Sequence, residues 1–335
     1  MNDRPDAALE PRGLVAWWDS HQVALYLVAM LGGALLGLAA PRAAPSLVHA
    51  INPVLALLLF ATFLGVPLVE VGRAFGDLRF LAAVLVGNFL VVPLLAFGLS
   101  RFVADDRGLT LGVLLVLLTP CIDYVIVFAG LAGGARARLL AAAPLLMLTQ
   151  VLLLPAYLLL FAGGDVLAVV EPAPFVEAFL VLIVVPLAAA ALVQALGRRH
   201  RSGRAVERAT AGAMVPLMML TLTVVIGSQI AAVGSEALQL ARLVPLYAAF
   251  VVLAVPVGLV VGRSAGLDVP GTRAAVFSVT TRNSLVVLPL ALALPEPLAL
   301  APLAVVTQTM VELLAMLVLV RLVPRLVPSW PSRAR

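Results

Sequence analysis

Long apolar stretches, separated by short connections that carry most of the arginines, make up nearly the whole chain. A helix that crosses the hydrocarbon core of a membrane needs about 20 residues, so each stretch is near spanning length. The ten approximate ranges are 22–40, 47–69, 78–103, 109–133, 138–162, 173–197, 206–232, 241–262, 272–294 and 297–322. The pattern predicts an all-α integral membrane protein with ten transmembrane helices.

Polar residues interrupt the fourth and the ninth of these stretches. The fourth contains Thr119-Pro120-Cys121-Ile122-Asp123, and the ninth contains Ser-Val-Thr-Thr-Arg-Asn-Ser at 278–284. Helix-breaking and charged sequence is costly inside a bilayer, and it persists where backbone and side chains line a cavity for a substrate or an ion. The two interruptions therefore predict a transport site.

The two halves of the chain carry matching residues at a nearly constant spacing of 158 to 163 positions. The matches are Pro53 with Pro216, Pro93 with Pro256, Leu118-Thr119-Pro120 with Val279-Thr280-Thr281, and Thr149-Gln150 with Thr307-Gln308. Five helices per half is an odd number, so a duplicated half would enter the membrane from the opposite side, as an inverted repeat. We expect an N-terminal segment at 1–20, repeats at 21–165 and 166–323, and a tail at 324–335.

Composition and charge agree with a membrane location. The chain is 63% hydrophobic and only 12% charged, and its mean hydropathy is +1.14. Grouping the termini with alternate loops collects seventeen arginines on one side and leaves four on the other. Because the cytoplasmic side carries the excess of basic residues, both termini are expected in the cytoplasm, with the chain crossing the plasma membrane many times. The net charge of +5 then needs no nucleic-acid partner.

Other features narrow the function classes. The chain has one cysteine, which excludes an internal disulfide, and no lysine, which excludes a nucleotide-binding P-loop. No signal peptide is evident, and no cofactor is expected. No paired-aspartate or His-Glu motif is evident either, so an enzyme is not favoured. A passive channel is a further alternative. The partners expected are a small-molecule or metalloid substrate, H⁺ or Na⁺, and the lipid bilayer.

The first interruption holds two candidate ligands. Pro120 disfavours helical geometry at Thr119, so one half-helix should stop near Leu118 and a second should start with Thr119 as its N-cap. Cys121 and Asp123 would then lie in the first turn, where free N–H groups favour anions. Cys121 is either a soft ligand for a metalloid or a small buried hydrophobe. Asp123 is either an oxygen ligand or a proton carrier.

The second interruption places an arginine at membrane depth. Arg282 needs a carboxylate, backbone carbonyls or an anionic ligand. Two interpretations remain open: a structural pair with Asp123, and direct binding of an anionic substrate.

Polar side chains elsewhere extend the candidate site. Asn88, Gln150, Gln308 and Glu312 are candidates for ion coupling, with hydrogen bonding between helices as the alternative for the amides. Gln308 and Glu312 are four residues apart and share a helical face. Glu312 has a second interpretation, in which it lies near the cytoplasmic end of its helix and reaches the membrane surface.

Two motifs carry a family resemblance. Leu117-Leu118-Thr119-Pro120-Cys121-Ile122-Asp123-Tyr124-Val125 resembles the fourth-helix motif of arsenite permeases, and Thr281-Arg282-Asn283-Ser284-Leu285 resembles an asparagine-bearing ninth-helix motif. Over about residues 20 to 325 the chain is similar to the bile acid:sodium symporter and arsenite permease superfamily, and most to its arsenic-resistance branch. The resemblance implies two inverted repeats of five helices, with broken fourth and ninth helices that cross.

The resemblance also assigns roles to residues. It implies that Cys121 contacts a metalloid and that Asn283 stands on the family's ninth-helix asparagine. Family members commonly carry a glutamate or glutamine for cation coupling in the ninth-helix motif, whereas Leu285-Val286-Val287 follow the polar run here. Asp123 or Glu312 could supply that missing group.

The function predicted first is a secondary active transporter that exports arsenite or a related metalloid, coupled to a proton or sodium gradient. The predicted substrate-binding residues are Thr119, Cys121, Arg282, Asn283 and Ser284, and the predicted ion-coupling residues are Asn88, Asp123, Gln150, Gln308 and Glu312. The alternative is a sodium-coupled symporter of an organic anion, with Arg282 and a half-helix N-terminus facing the anion.

Overall fold

The computed structural model describes residues 13–40, 42, 44–65, 76–122, 124–162, 177 and 180–328. The helices of the first half are α1 (Leu14–Ala39), α2 (Ala44–Gly65), α3 (Leu78–Val86), α4 (Val92–Ser100), α5 (Arg107–Leu117), α6 (Tyr124–Leu131) and α7 (Arg136–Phe161). Those of the second half are α8 (Val185–Gly197), α9 (Arg201–Ser235), α10 (Ala237–Ala241), α11 (Leu243–Ser264), α12 (Val269–Thr280), α13 (Ser284–Leu292) and α14 (Leu300–Leu326).

Helical segments lie in each of the ten apolar stretches, and the described part of the chain contains no strand. A π-helical segment, Gly87–Val91, joins α3 to α4, and another, Leu180–Val184, precedes α8. Six helical segments are long and apolar enough to cross a membrane by length and composition. The prediction of an all-α chain with several membrane-spanning helices is confirmed at this level.

The fourth and ninth stretches are broken, as the sequence predicts. The fourth is divided into α5, of 11 residues, and α6, of 8 residues, and the ninth into α12, of 12 residues, and α13, of 9 residues. Each half-helix alone is too short to span the hydrocarbon core. The chain therefore places four helix ends inside the apolar body of the protein.

The helices form two packed groups. Helices α1, α2, α8 and α9 pack against one another, while α3 to α7 pack with α11 to α14. The broken helices belong to the second group, and α14 contacts α5, α11 and α13. Contacts of α9 with α14 and of α2 with α13 connect the two groups.

Aspartate N-caps fix the starts of the two upstream half-helices. Asp106 accepts a hydrogen bond from Leu109 N at 2.8 Å at the start of α5, and Asp268 accepts one from Gly271 N at 3.0 Å at the start of α12. Partial burial tends to raise the pKa of Asp268, but hydrogen bonds from Arg138 and Gly271 N outweigh this effect and lower the pKa below its ordinary value. Arg138 also lies 3.1 Å from Asp77, the N-cap of α3, and so links the starts of α3 and α12.

Close packing of α5 on α14 holds the first broken helix in place. A Cβ atom added to Gly112 would lie 2.7 Å from Ala301 O and 2.9 Å from Ala301 Cα. These are backbone atoms, so the two helices could accommodate a larger side chain only by separating.

We predict that Gly112→Val lowers stability by about 1–3 kcal/mol, because overpacking forces the two helices apart. The measurement is the apparent melting temperature in detergent, followed by size-exclusion chromatography of heated samples. Gly98→Val is the matched control, because a Cβ at Gly98 meets nothing within 4 Å. Equal melting temperatures for the two variants would contradict the close contact.

Candidate functional site

The first break is an extended connection that differs in detail from the predicted one. Helix α5 ends at Leu117, and the hydroxyl of Thr119 donates back to Leu115 O and Val116 O, both at 3.1 Å. Helix α6 begins only at Tyr124. The prediction that Thr119 is the N-cap and Pro120 the first helical residue is therefore wrong, because Thr119 closes the upstream half-helix instead. Cys121 lies in the extended connection and not in a first helical turn.

The second break spans Thr281–Asn283. Helix α12 ends at Thr280, and Thr281 adopts extended backbone with φ −98° and ψ 141°. Asn283 is the N-cap of α13, since its side-chain oxygen accepts a hydrogen bond from Val286 N at 3.3 Å. A side chain that satisfies a free N–H explains why a helix can restart here without proline.

The two breaks cross and are joined by their backbones. Cys121 N donates to Thr281 O at 3.2 Å, and Asn283 N donates to Thr119 O at 2.8 Å, on either side of an antiparallel bridge between Pro120 and Arg282. A shift of 162 residues turns the donor Cys121 into Asn283 and the acceptor Thr119 into Thr281. The two hydrogen bonds thus join equivalent positions of the two halves of the chain, which are 162 residues apart. The same spacing separates the N-caps Asp106 and Asp268.

Arg282 occupies the centre of the crossing. Its side chain is fully buried, and its guanidinium donates to Leu117 O at 3.2 Å, Ser278 O at 3.0 Å and Val279 O at 2.7 Å. These carbonyls come from the C-terminal ends of α5 and α12, where helix carbonyls have no partner within the helix and carry the negative end of the dipole. Arg282 therefore caps both upstream half-helices at once.

Asn88 supplies the fourth oxygen around Arg282. Its Oδ1 accepts from Arg282 Nη2 at 2.7 Å, while its Nδ2 lies 3.0 Å from Ser278 Oγ and 2.9 Å from Val84 O. The aromatic ring of Phe250 adds a cation–π contact, with its centroid 5.4 Å from Arg282 Cζ. Neutral groups of this protein hold Nη1 and Nη2 of the guanidinium, whereas the buried Nε has no hydrogen-bond partner among the described residues.

Glu312 lies on the other side of the 281–283 segment and is 1% exposed. Its carboxylate accepts from Arg282 N at 2.8 Å and from Tyr124 Oη at 2.5 Å, and Gln308 Nε2 also donates to it. Tyr124 Oη also lies 3.0 Å from Arg282 O. The interpretation of Glu312 as a residue that reaches the membrane surface is wrong, because its hydrogen bonds hold it against the crossing.

The remaining predicted residues differ in their relation to the crossing. Cys121, Asn283 and Ser284 are buried at the crossing, and the hydroxyl of Ser284 accepts from Thr309 Oγ1 at 2.8 Å. Gln150 is buried in α7, and neither polar atom of its side chain has a partner among the described residues. Asp123 lies outside the described residues, so its roles as ion ligand and as partner of Arg282 remain predictions.

A cavity of about 190 Å³ lies between the two helix groups and meets the first break at Ile122 and Tyr124. Its opposite wall consists of Gln22 and Tyr26 of α1, Thr62 of α2, and Met214 and Met218 of α9. The hydroxyl of Thr62 is buried, and the described chain offers it no hydrogen-bond partner. A buried hydroxyl without a partner is costly, so it marks a position that a ligand atom can satisfy.

A second cavity, of about 390 Å³, lies between α1, α6 and α14. His21 and Arg321 line it beside apolar residues such as Phe128 and Leu317. Sequence reasoning missed both cavities. Thr62 of α2 and Met214 and Met218 of α9 are far apart in the sequence and belong to no motif. They form a site only because the fold brings the two helices together.

The chain matches the model of a known protein family. Residues 52–236, which are more than half of the chain, match the model of the sodium bile acid symporter family. A search of curated proteins finds no match to the chain. The family match confirms the resemblance at the level of the superfamily, and the arsenic-resistance branch remains a prediction.

We predict that Asn88→Leu lowers the stability of the chain by about 1.5–3 kcal/mol, because it removes a hydrogen bond to a buried charge. Gln150→Leu is the matched control, since it removes an equally buried amide that has no partner among the described residues. Thermal unfolding in detergent should show a clear loss for the first variant and little change for the second. A loss of the same size in both would mean that Gln150 has a partner of its own.

Proposed function

Because the chain belongs to the sodium bile acid symporter family, we propose that it is a secondary active transporter that carries a small organic anion with the help of a cation gradient. Members of this family are membrane transporters, and this membership supports a transport function for the chain. The finer assignment to an organic anion depends on the cavities described above.

The observation that carries the proposal is the unsatisfied hydroxyl of Thr62 in a cavity with a largely apolar wall. Aromatic, aliphatic and thioether groups form most of this wall, beside the amide of Gln22, and they favour an apolar organic body over a hydrated inorganic ion. The hydroxyl of Thr62 gives such a body a fixed point for hydrogen bonding.

Charge in the neighbouring cavity supports an anionic substrate. His21 and Arg321 line the 390 Å³ cavity, which shares α1 and α6 with the smaller one. The guanidinium of Arg321 raises the local concentration of anions in this cleft. Arg282 is not assigned to the substrate, because it lines neither cavity and four oxygens of the protein already hold Nη1 and Nη2 of its guanidinium.

The proposed mechanism is alternating access between two inverted repeats of five helices in the plasma membrane, with both termini in the cytoplasm. The equivalent hydrogen bonds of the crossing and the equivalent aspartate N-caps, all spaced by 162 residues, support the duplication. The seventeen arginines on one side support the orientation. In such transporters the helix groups move against each other around a site at the repeat interface.

Metalloid export is the second candidate, and the position of Cys121 favours it. The backbone of Cys121 is pinned to the crossing by its hydrogen bond to Thr281, so its thiol is fixed beside the proposed moving parts. Thiolate sulfur is the side-chain ligand that best suits a soft metalloid. Against this candidate, Ile122 and Tyr124 line the smaller cavity whereas Cys121 does not.

We predict that Thr62→Val raises the KM for a transported organic anion about 10-fold, which corresponds to one lost hydrogen bond of about 1.4 kcal/mol. The assay is uptake of a labelled bile acid and of a labelled aryl carboxylate into liposomes that contain the purified chain, under imposed proton or sodium gradients. Thr272→Val is the control, because Thr272 is equally buried and its hydroxyl donates to Leu267 O at 3.3 Å. No uptake of any anion under either gradient would reject the proposed substrate class.

The second candidate predicts a different result in cells. An efflux-deficient, arsenic-sensitive bacterium that expresses the chain should accumulate less arsenite, and Cys121→Ser should abolish that difference at equal membrane expression. If the chain and the empty vector give equal accumulation, metalloid export is rejected and organic-anion transport is unaffected.

A further inference from the structure

Arg282 is a buried cation whose charge is met mainly by neutral oxygens. Three backbone carbonyls and the amide oxygen of Asn88 surround its guanidinium at 2.7 to 3.2 Å. Among the described residues, no ion pair joins the guanidinium to a carboxylate, because Glu312 accepts from the backbone N of Arg282 instead. The environment is that of a cation cage built from oxygen dipoles.

Such a cage has a known use in transporters. Where two membrane helices unwind, the free carbonyls at the C-terminal ends of the half-helices coordinate the coupling cation. At the present crossing, the ends of α5 and α12 converge in this way, and a side chain of the protein fills the space between them. A positive charge tied to the backbone cannot be released to either side of the membrane, and a guanidinium does not lose its proton.

The neighbouring group that can gain and lose a charge is Glu312. Among the described residues, the titratable or charged groups around it are Tyr124 of α6, Arg282 of the crossing segment, and Cys121, which interacts with Arg282 electrostatically. Asp123 lies outside the described residues. A carboxylate buried within the membrane-spanning part of a protein is a typical proton carrier.

Tyr124 gives Glu312 two hydrogen-bonded states. Its single hydroxyl proton lies within reach of two acceptors, Glu312 Oε1 at 2.5 Å and Arg282 O at 3.0 Å. When Glu312 is ionised, Tyr124 donates to the carboxylate. When Glu312 takes up a proton at Oε1, the resulting O–H group donates a hydrogen bond to Tyr124 Oη. The hydroxyl of Tyr124 then turns and donates its own hydrogen bond to Arg282 O. The heavy atoms need not move, and the proton taken up remains on Glu312 until it is released.

We propose that Arg282 is a fixed cation that fills the cation position of the crossing, and that the ion carried by this chain is a proton held by Glu312 and Tyr124. The inference depends on the proposed transport function and names its coupling ion. Arg282 takes the structural place that a bound sodium ion would have at the crossing. The hydrogen bonding of the crossing segment then depends on the protonation state of Glu312.

The first part of the test needs no substrate. Thermal unfolding of the purified full-length chain is compared in sodium chloride and in choline chloride at the same ionic strength. Wild type should unfold at the same temperature in both salts. Arg282→Ala should unfold at a lower temperature, and sodium or a low concentration of guanidinium should raise that temperature by at least about 2 °C, because either cation can enter the vacated cage.

Arg273→Ala is the matched control for the cage. Arg273 also donates to two backbone carbonyls, Val327 O and Ala132 O, both at 3.0 Å, but it does not lie at the crossing. Neither cation should restore its stability. Stabilisation of wild type by sodium, or the absence of rescue in a folded Arg282→Ala, would overturn the assignment of Arg282. If Arg282→Ala does not fold, the unfolding temperatures of wild type in the two salts decide whether Arg282 occupies the cation position.

The second part follows the proton on Glu312. Infrared difference spectra between acidic and alkaline buffers should show the band of a protonated carboxyl group in wild type that is absent from Glu312→Gln. Tyr124→Phe should keep this band at a shifted frequency, because the acid loses its hydrogen-bond acceptor. A band that persists unchanged in Glu312→Gln would overturn the assignment of Glu312.

The third part separates this inference from the proposed function. Bile acid uptake should be driven by an inward proton gradient without sodium, and Glu312→Gln should lose gradient-driven accumulation while it retains exchange of bile acid across the membrane. Uptake that requires a sodium gradient would overturn the inference and leave the proposed function intact. If bile acids and aryl carboxylates are not taken up at all, the proposed function fails, and the unfolding and infrared results still decide the roles of Arg282 and Glu312.

Discussion

The requirement that every backbone polar group be satisfied away from water governs the centre of this protein. Two broken helices leave the carbonyls at the ends of α5 and α12 without partners in their own helices, in a part of the molecule that is buried away from solvent. Arg282 meets both ends, and the hydrogen bonds of Cys121 and Asn283 satisfy the extended segments between the half-helices. Without this arrangement each break would cost several kcal/mol.

The crossing also connects the two features that a coupled carrier needs. Ile122 and Tyr124 line the cavity between the helix groups, and Tyr124 reaches Glu312 and Arg282 O at the crossing. One side chain therefore touches both the proposed substrate space and the proposed ion site. A ligand in the cavity and a proton on Glu312 would act on the same side chain, which provides a short physical route for coupling.

The sequence is sufficient to predict an all-α membrane protein, its two broken helices and most of the buried polar residues, since each leaves a local signal in an apolar background. Its failures have a common origin in long-range contacts. Local capping rules predict that Thr119 starts a helix, but the hydrogen bond from Asn283 N to Thr119 O holds its backbone in the crossing. The partners of Arg282 were uncertain because backbone carbonyls leave no trace in a sequence. Thr62 gave no signal at all, because its significance depends on an unfilled hydrogen bond in a cavity between two helix groups.

The pairing of Pro120 with Arg282 has a consequence for the energetics of the proposed alternation. These residues occupy equivalent positions in the two halves, yet one has no side-chain donor and the other caps both half-helices. In an exact inverted repeat, exchange of the two halves would interconvert inward-facing and outward-facing conformations of equal free energy. Because Arg282 has no counterpart at Pro120, that degeneracy is lifted. Under the proposed alternation, the two orientations would therefore differ in free energy, and the chain itself would favour one of them before any gradient is applied.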